Sequence, residues 1–98
     1  MVHQLKCAAN YFDDVISGRK TFEVRKNDRD FHVGDYLALN ELAANGTETG
    51  TSAIFHVHYI LDDKAYCLPG YVVLGIKPCY VAEKPLGIKP TILVEGGA

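Results

Sequence analysis

Positive charge in this chain is concentrated in one short segment, SGRKTFEVRKNDRDFHVGD, which runs from residue 17 to residue 35. The segment contains five of the ten Lys and Arg residues, including all three arginines, Arg19, Arg25 and Arg29. From Arg19 to Arg29, five cations and two acids give a local charge of +3, in a chain whose net charge is −2. Because a guanidinium can donate paired hydrogen bonds to a phosphate or a carboxylate, the segment is predicted to bind an anion.

The run TFEVR within this segment alternates polar and apolar residues, which predicts a half-buried strand. We expect Phe22 and Val24 to face the core, with Thr21, Glu23 and Arg25 on the opposite, polar face. There Arg25 could bind a phosphate, and Glu23 could accept a hydrogen bond from the amino group of a base. The alternative interpretation is a solvated strand face on which Glu23 and Arg25 form weak charge pairs.

Other residues with chemical potential give weaker signals. His56 and His58 are spaced to lie on one strand face, but the sequence offers no third ligand close by, so no metal site is predicted. The three cysteines, Cys7, Cys67 and Cys79, are odd in number, lack a CxxC spacing and lie in apolar or strand-like contexts. They are predicted to be reduced, buried and unreactive thiols. No nucleophile elbow or phosphate-binding glycine motif is present, and no cofactor is predicted.

Length and composition limit the class of protein. A chain of 98 residues with 48% hydrophobic content predicts one globular domain with a modest core. No stretch approaches the ~20 apolar residues of a membrane helix, and the first residues do not resemble a signal peptide. These features, with the cysteine pattern, predict a cytoplasmic protein without a membrane partner. The acidic net charge excludes a globally basic surface, so binding to a polyanion would have to be local.

The elements that must position the basic segment are short. A first strand is expected at 2–7, with Val2 on its buried side. A helix should begin at Asn10 as N-cap and end at Gly18.

The second half of the chain is predicted to be mostly strand. Strands are expected at 36–41, 51–61 and 71–76, with a hairpin-like connection at 44–50 and the last strand buried on both faces. Residues 83–98 are interpreted as a tail beyond a domain at 1–82, with a possible edge strand at 91–94. Together these elements predict an α+β fold, a compact mixed β-barrel of five or six strands with one or two short helices.

The order of these motifs resembles that of a known family. The GRKT sequence after the helix, the following FEVR strand and the later VGD turn are similar to the ASCH domain of the PUA-like superfamily. The opening HQLK and the late GYVVLGI strand resemble a small bacterial and phage subfamily of unknown function. The resemblance covers residues 2–77.

The resemblance implies a PUA-like barrel whose cleft is lined by the GRKT segment and binds RNA or nucleotides. Some small ASCH proteins are amidohydrolases that deacylate N4-acetylcytidine with a lysine, a threonine and a glutamate. The lysine corresponds to Lys20. Their threonine lies three residues later, where this chain has Glu23, although Thr21 keeps a hydroxyl nearby.

Three functions are therefore expected as alternatives. The first is a module that binds RNA or one modified nucleotide, with six contacting residues: Lys20, Thr21, Glu23, Arg25, Lys26 and Arg29. The second is an amidohydrolase acting on an N4-acylcytidine-type nucleoside, with Lys20 and Glu23 as the catalytic pair. The third is a protein-interaction module without a ligand. The sequence does not define the oligomeric state.

Overall fold

The computed structural model describes residues 1–82, which form one mixed five-stranded sheet and one short helix. The strands lie in the order β1-β3-β4-β5-β2, and only the β1–β3 pair is parallel. The elements in chain order are β1 (Val2–Ala8), α1 (Ala9–Ile16), β2 (Phe22–Lys26), β3 (Tyr36–Leu42), β4 (Glu48–Leu61) and β5 (Tyr71–Ala82). The predicted α+β class, with five strands and one helix, is confirmed for these residues. The predicted tail at 83–98 and its edge strand at 91–94 lie outside them.

The sheet is curled into a half-barrel, because its two edge strands approach each other. β1 and β2 stand at opposite ends of the strand order, yet the Arg25 guanidinium on β2 donates to the carbonyl of Lys6 on β1 at 2.9 Å. Arg29, after the end of β2, donates to the carbonyl of Gln4 at 2.8 Å. We call this junction, where arginine side chains take the place of a strand-to-strand ladder, the β1–β2 seam.

β1 alternates as predicted, but the residues that face the core differ from the prediction. His3, Leu5 and Cys7 are buried, whereas Val2 is 53% exposed. Val2 was expected on the buried side, and that expectation is wrong. Since alternation fixes only which residues share a face, the partner layer decides which face turns inward.

β2 also faces the opposite way from the prediction. Phe22 and Val24 are 42% and 53% exposed, whereas Glu23 is only 3% exposed. Glu23 pairs in register with Leu74 and shares its inward orientation. The reversal is possible because the inward carboxylate has cationic partners within the barrel.

α1 packs its apolar face against the sheet as predicted. Phe12 and Val15 are buried, and Ile16 packs against the same core. The N-cap is Ala8, without a side-chain cap, so the prediction of Asn10 as N-cap is wrong by two residues. Gly18 has a φ of 82°, the left-handed conformation expected just after a helix end.

The central strands β3, β4 and β5 provide most of the core. Leu37, Leu39, Phe55, Val57 and Leu74 are the most deeply buried large side chains together with Val72. β4 begins at Glu48, three residues before the predicted start, because a tight turn closed by Ala43 N–H to the Thr47 carbonyl brings its first residues into the ladder.

β5 differs from the prediction in length and in burial. It continues to Ala82, past the expected end at Ile76, and its pairing with β4 shifts register between Ile54 and Phe55 and between Val57 and Tyr59. It was expected to be buried on both faces, but its residues alternate: Val72, Leu74 and Ile76 are buried, while Tyr71 is 39% exposed. The outer face of this strand therefore has no covering layer among residues 1–82.

A buried polar group fixes the start of β3 relative to β1. The His3 imidazole is 2.8 Å from Asp35, which also accepts a hydrogen bond from the backbone N–H of His32 at 2.9 Å. These contacts, with help from the amino terminus of Met1, lower the pKa of Asp35 to about 2, against the opposing effect of burial. The VGD turn predicted at 33–35 thus ends on a carboxylate that joins two strands.

No helix within residues 1–82 is long and apolar enough to cross a membrane.

Replacing Asp35 by Asn should lower the free energy of unfolding at neutral pH by about 2 kcal/mol. This is the free energy that corresponds to the lowering of the Asp35 pKa from 3.8 to about 2. A depressed carboxylate pKa stabilises the fold above the unfolded-state value near 4. That contribution is lost as the pH falls through about 2. Urea unfolding of both proteins, followed by circular dichroism, should give a difference that is present at pH 7, falls as the pH approaches 2 and is absent below it.

Asp30→Asn is the matched control, since the Asp30 side chain is 92% exposed. Equal unfolding free energies for wild type and Asp35→Asn at pH 7 would contradict the assigned role of Asp35.

Candidate functional site

A cavity of about 530 Å³ opens between β1, α1 and β2. Its position follows from the half-barrel, because the helix lies beside the gap between the two edge strands. Nine residues line it: Lys6, Cys7, Ala8, Tyr11, Lys20, Phe22, Glu23, Val24 and Arg25. We call this cavity the seam pocket.

Glu23 is the central polar group of the seam pocket. Its Oε1 accepts a hydrogen bond from Lys20 Nζ at 2.7 Å, and its Oε2 accepts one from Arg25 Nε at 2.9 Å. Each carboxylate oxygen therefore has a cationic donor. An ion cluster of this kind offsets the cost of removing Glu23 from water, which an unpaired buried carboxylate could not do.

Lys20 is held in one position by several contacts. Besides Glu23, its ammonium donates to the backbone carbonyl of Phe22 at 2.8 Å. It also lies 5.0 Å from the centroid of the Phe22 ring and 5.4 Å from that of Tyr11. Both distances are within the range of a cation–π interaction. The ammonium is thus placed between two aromatic rings at the side of the pocket.

The Arg25 side chain makes two kinds of contact from one position. Its guanidinium contacts Glu23 within the pocket and the Lys6 carbonyl across the seam. The bridging arginine therefore links the charge in the pocket to the closure of the half-barrel.

The pocket is positively charged and partly aromatic. Three cationic side chains (Lys6, Lys20 and Arg25) and one carboxylate (Glu23) line it, which gives a net charge of +2. Tyr11 and Phe22 remain 54% and 42% exposed, so their rings are accessible to a ligand.

The structure brings together three of the six predicted contact residues. Lys20, Glu23 and Arg25 form one ion cluster in the pocket. The predicted Glu23–Arg25 charge pair is therefore present, but on the inside of the sheet.

The other three residues lie outside the lining of the pocket. Thr21 is exposed, and its carbonyl accepts the N–H of Ile76. Lys26 is exposed at the end of β2, and Arg29 is committed to the Gln4 carbonyl. These three residues would therefore not contact a ligand that is bound in the seam pocket.

Three polar or aromatic lining residues, Lys6, Cys7 and Tyr11, were not among the predicted contact residues. Tyr11 lies on the exposed side of α1, and Lys6 and Cys7 come from β1, far from the basic segment in the chain. Only the curling of the sheet brings β1 beside β2. The position of Tyr11 next to the buried Phe12 predicts that its ring is exposed, but it does not specify what the ring contacts.

Cys7 forms part of the pocket wall with its thiol protonated. Burial, and then the nearby carboxylate of Glu23, raise the pKa of Cys7 to about 11, against the opposing effects of Arg25 and Lys20. The prediction that this cysteine is buried and unreactive is consistent with its 3% exposure. Within residues 1–82, no three His, Cys, Asp or Glu side chains are grouped to hold a metal ion.

Cys7 should react with iodoacetamide near pH 8 at least about 100-fold more slowly than a thiol of ordinary pKa, because only the thiolate is nucleophilic. Cys67, which is partly exposed, is the internal control. Mass spectrometry of labelled peptides should show Cys67 modified first, with Cys7 labelled only after denaturation. Equal labelling rates in the native protein would show that Cys7 is neither buried nor deactivated.

Comparison with known proteins places the sequence of this chain in a family. Residues 2–76 match the family described as "Domain of unknown function (DUF3850)". Over 73 residues the chain is 37% identical to the "Uncharacterized 12.9 kDa protein in GpA 3'region" of Escherichia phage P2. The alignment covers 74% of this chain and 65% of that protein, so the chain spans less than two thirds of this relative's length. Because the family match covers residues 2–76, more than half of the chain and all of β1, α1 and β2, the chain belongs to the DUF3850 family.

Proposed function

We propose that this chain is a PUA-like, ASCH-related module that binds RNA or a single modified nucleotide in the seam pocket. The observation that carries this proposal is the Lys20–Glu23–Arg25 cluster, placed beside two accessible aromatic rings in one cavity. The sequence resemblance to the ASCH domain and the half-barrel fold both support it.

The size of the pocket suits a small organic ligand. Its volume of about 530 Å³ lies within the range of ~300–1,000 Å³ in which small-molecule and cofactor sites fall. A nucleoside or mononucleotide is a ligand of this class. A duplex would not enter, so only a single-stranded or terminal nucleotide is compatible with the cavity.

The charge of the pocket favours an anionic ligand. Glu23 is already paired on both oxygens, so the remaining donor capacity of Lys20 and Arg25 is available to a phosphate. Lys20 donates two hydrogen bonds to the protein and has three N–H groups. A phosphate oxygen beside Lys20 and Arg25 would receive charge-assisted hydrogen bonds from preorganised donors.

The aromatic rings favour a planar ligand group. Tyr11 and Phe22 flank the Lys20 ammonium, so a base stacked on either ring would lie within reach of the same cation. Stacking on an aromatic side chain is the usual way in which proteins hold an unpaired base.

Replacing Lys20 by Met should weaken binding of cytidine 5′-monophosphate by about 10- to 100-fold, since a charged hydrogen bond to the phosphate is removed. Tyr11→Ala should weaken it by about five- to 100-fold through lost stacking, and it leaves the hydrogen bonds of Lys20 and Arg25 to Glu23 in place. Isothermal titration calorimetry measures both effects, and thermal unfolding checks that each variant is folded.

Arg19→Met is the matched control, because Arg19 is 70% exposed, pairs with Asp14 and lies outside the lining. It should bind the mononucleotide as wild type does. If Lys20→Met and Tyr11→Ala also bind as wild type, or if wild type does not bind, a nucleotide site in the seam pocket is excluded.

A second candidate function is hydrolysis of an N4-acylcytidine, and one contact favours it. Lys20 Nζ and Glu23 Oε1 are 2.7 Å apart in a pocket of nucleoside size, so a proton donor and a carboxylate are already in hydrogen-bond contact. In this reaction Glu23 would accept a proton from the attacking water, and Lys20 would donate one to the amide nitrogen that leaves. Cleavage of the amide would yield cytidine and the free acid.

Incubation with N4-acetylcytidine, followed by chromatography, tests the hydrolase directly. Release of cytidine and acetate is expected from wild type, with a loss of at least about 100-fold in Glu23→Gln, which removes the base but keeps the shape. No turnover by wild type, or turnover unchanged in Glu23→Gln, would exclude the enzyme and leave the binding module.

A further inference from the structure

The outer face of the sheet around β2 carries exposed aromatic and apolar side chains. Strand register defines their arrangement, because residues paired across neighbouring strands project on the same side. Three rows cross this surface: Phe22–Gly75–Tyr59, Val24–Val73–Leu61 and Lys26–Tyr71. We call these residues the outer face of β2, β5 and β4.

Several large side chains of this face are open to solvent. Tyr59, Val24, Phe22 and Tyr71 are 60%, 53%, 42% and 39% exposed. In the first row Gly75 has no side chain, and the imidazole of His58 lies there instead, 3.2 Å from the position a Cβ would take. The row thus consists of a phenyl ring, an imidazole and a phenol. Several exposed aromatic groups in one row of a sheet face are more typical of a binding surface than of ordinary solvent-exposed surface.

The charge of the face is positive, unlike that of the chain. Lys26 lies beside Tyr71 in the third row, and Lys77 follows Gly75 on the same side of β5. No Asp or Glu occupies an outward position in β2, in residues 56–61 of β4 or in residues 71–77 of β5. Asp62, which follows the end of β4, lines a small cavity together with Tyr71 and Lys64, so one carboxylate lies at the edge of the face.

We propose that this outer face is a second binding surface, on which single-stranded nucleic acid lies with its bases stacked on Phe22, Tyr59 and Tyr71. Aromatic rings interleaved with lysines, with the nearby carboxylate, Asp62, at the edge of the face, match the chemistry of an unpaired strand, which presents flat bases and anionic phosphates. An apolar protein partner would use the rings but would gain little from the two lysines.

The seam pocket and the outer face are joined at Phe22. Its ring lies 5.0 Å from Lys20 Nζ in the pocket, and its backbone stands in the first row of the outer face. A strand crossing the face would therefore bring one nucleotide to the mouth of the pocket. This inference rests on the proposed function only for nucleic acid as the ligand. Tyr59, Tyr71 and the two lysines of the outer face do not line the seam pocket, although Phe22 and Val24 belong to both surfaces.

A fluorescein-labelled single-stranded decacytidylate, titrated by fluorescence anisotropy, tests the outer face. Tyr59→Ala should weaken its binding by about five- to 100-fold. Tyr59→Leu should bind the decacytidylate as weakly as Tyr59→Ala does, because leucine keeps apolar area but has no aromatic face. Tyr59→Phe keeps the ring and should bind within about twofold of wild type. The Tyr59 side chain is mostly exposed, so these changes leave the core intact.

Tyr66→Ala is the matched control, because Tyr66 is 79% exposed but lies in the loop between β4 and β5. It should bind as wild type does. Cytidine 5′-monophosphate, bound in the pocket, should be insensitive to Tyr59→Ala.

The outcomes separate the two proposals. If Tyr59→Ala binds decacytidylate as wild type does, or if Tyr59→Leu does, stacking on the outer face is overturned. This conclusion holds whether or not the mononucleotide binds in the seam pocket. If the mononucleotide fails to bind while decacytidylate binding depends on Tyr59, the seam-pocket function is overturned and the outer face stands. A Tyr59-dependent self-association in sedimentation, without oligonucleotide binding, would assign the face to a second copy of the chain and overturn this inference.

Discussion

The structure around the seam depends on one buried carboxylate. Glu23 is turned into the half-barrel, where both of its oxygens accept hydrogen bonds from cations, Lys20 on one side and Arg25 on the other. A carboxylate in this position is tolerated only while those partners remain, because an unpaired buried charge costs several kcal/mol. The positions of Lys20 and Arg25 are therefore constrained by the same group, which makes the pocket geometrically defined rather than a flexible surface cleft.

The concentration of arginines in one segment has a structural explanation as well as a binding one. Each of the three makes a defined contact: Arg25 and Arg29 reach backbone carbonyls of β1, and Arg19 pairs with Asp14 of α1. An edge strand presents unpaired backbone groups, and arginine side chains here satisfy two carbonyls of β1. Much of the positive charge thus closes the half-barrel, and Lys20 with part of Arg25 is left for a ligand.

The orientation of Glu23 also determines the other side of β2. Because side chains alternate along a strand, an inward Glu23 forces Phe22 and Val24 outward. They then extend the exposed surface formed by Tyr59, Val73 and Tyr71 on the neighbouring strands. The polar inner face of β2 and its apolar outer face therefore both follow from the inward orientation of Glu23. Phe22 lies where the two surfaces meet.

The sequence by itself determined the elements and the key cluster. Alternation, turn residues and the helical spacing of Phe12, Val15 and Ile16 predicted the helix and most strand ends to within a few residues, but β5 extends to Ala82, beyond its predicted end at Ile76. The basic segment indicated Lys20, Glu23 and Arg25 among its six predicted contact residues, because a cluster of positive charge in an acidic chain is unusual enough to be informative.

Tertiary structure alone decided which way the strands face and what meets across the barrel. The hydrophobic pattern favoured Phe22 and Val24 as core residues, yet the ion cluster buries Glu23 instead, since three polar side chains satisfying one another replace the apolar contact. The contribution of Lys6, Cys7 and Tyr11 to the pocket was equally invisible, because it arises from the curling of the sheet. Local sequence specifies that side chains alternate between the two faces of a strand. Long-range packing decides which face is buried and which strands distant in the chain come into contact.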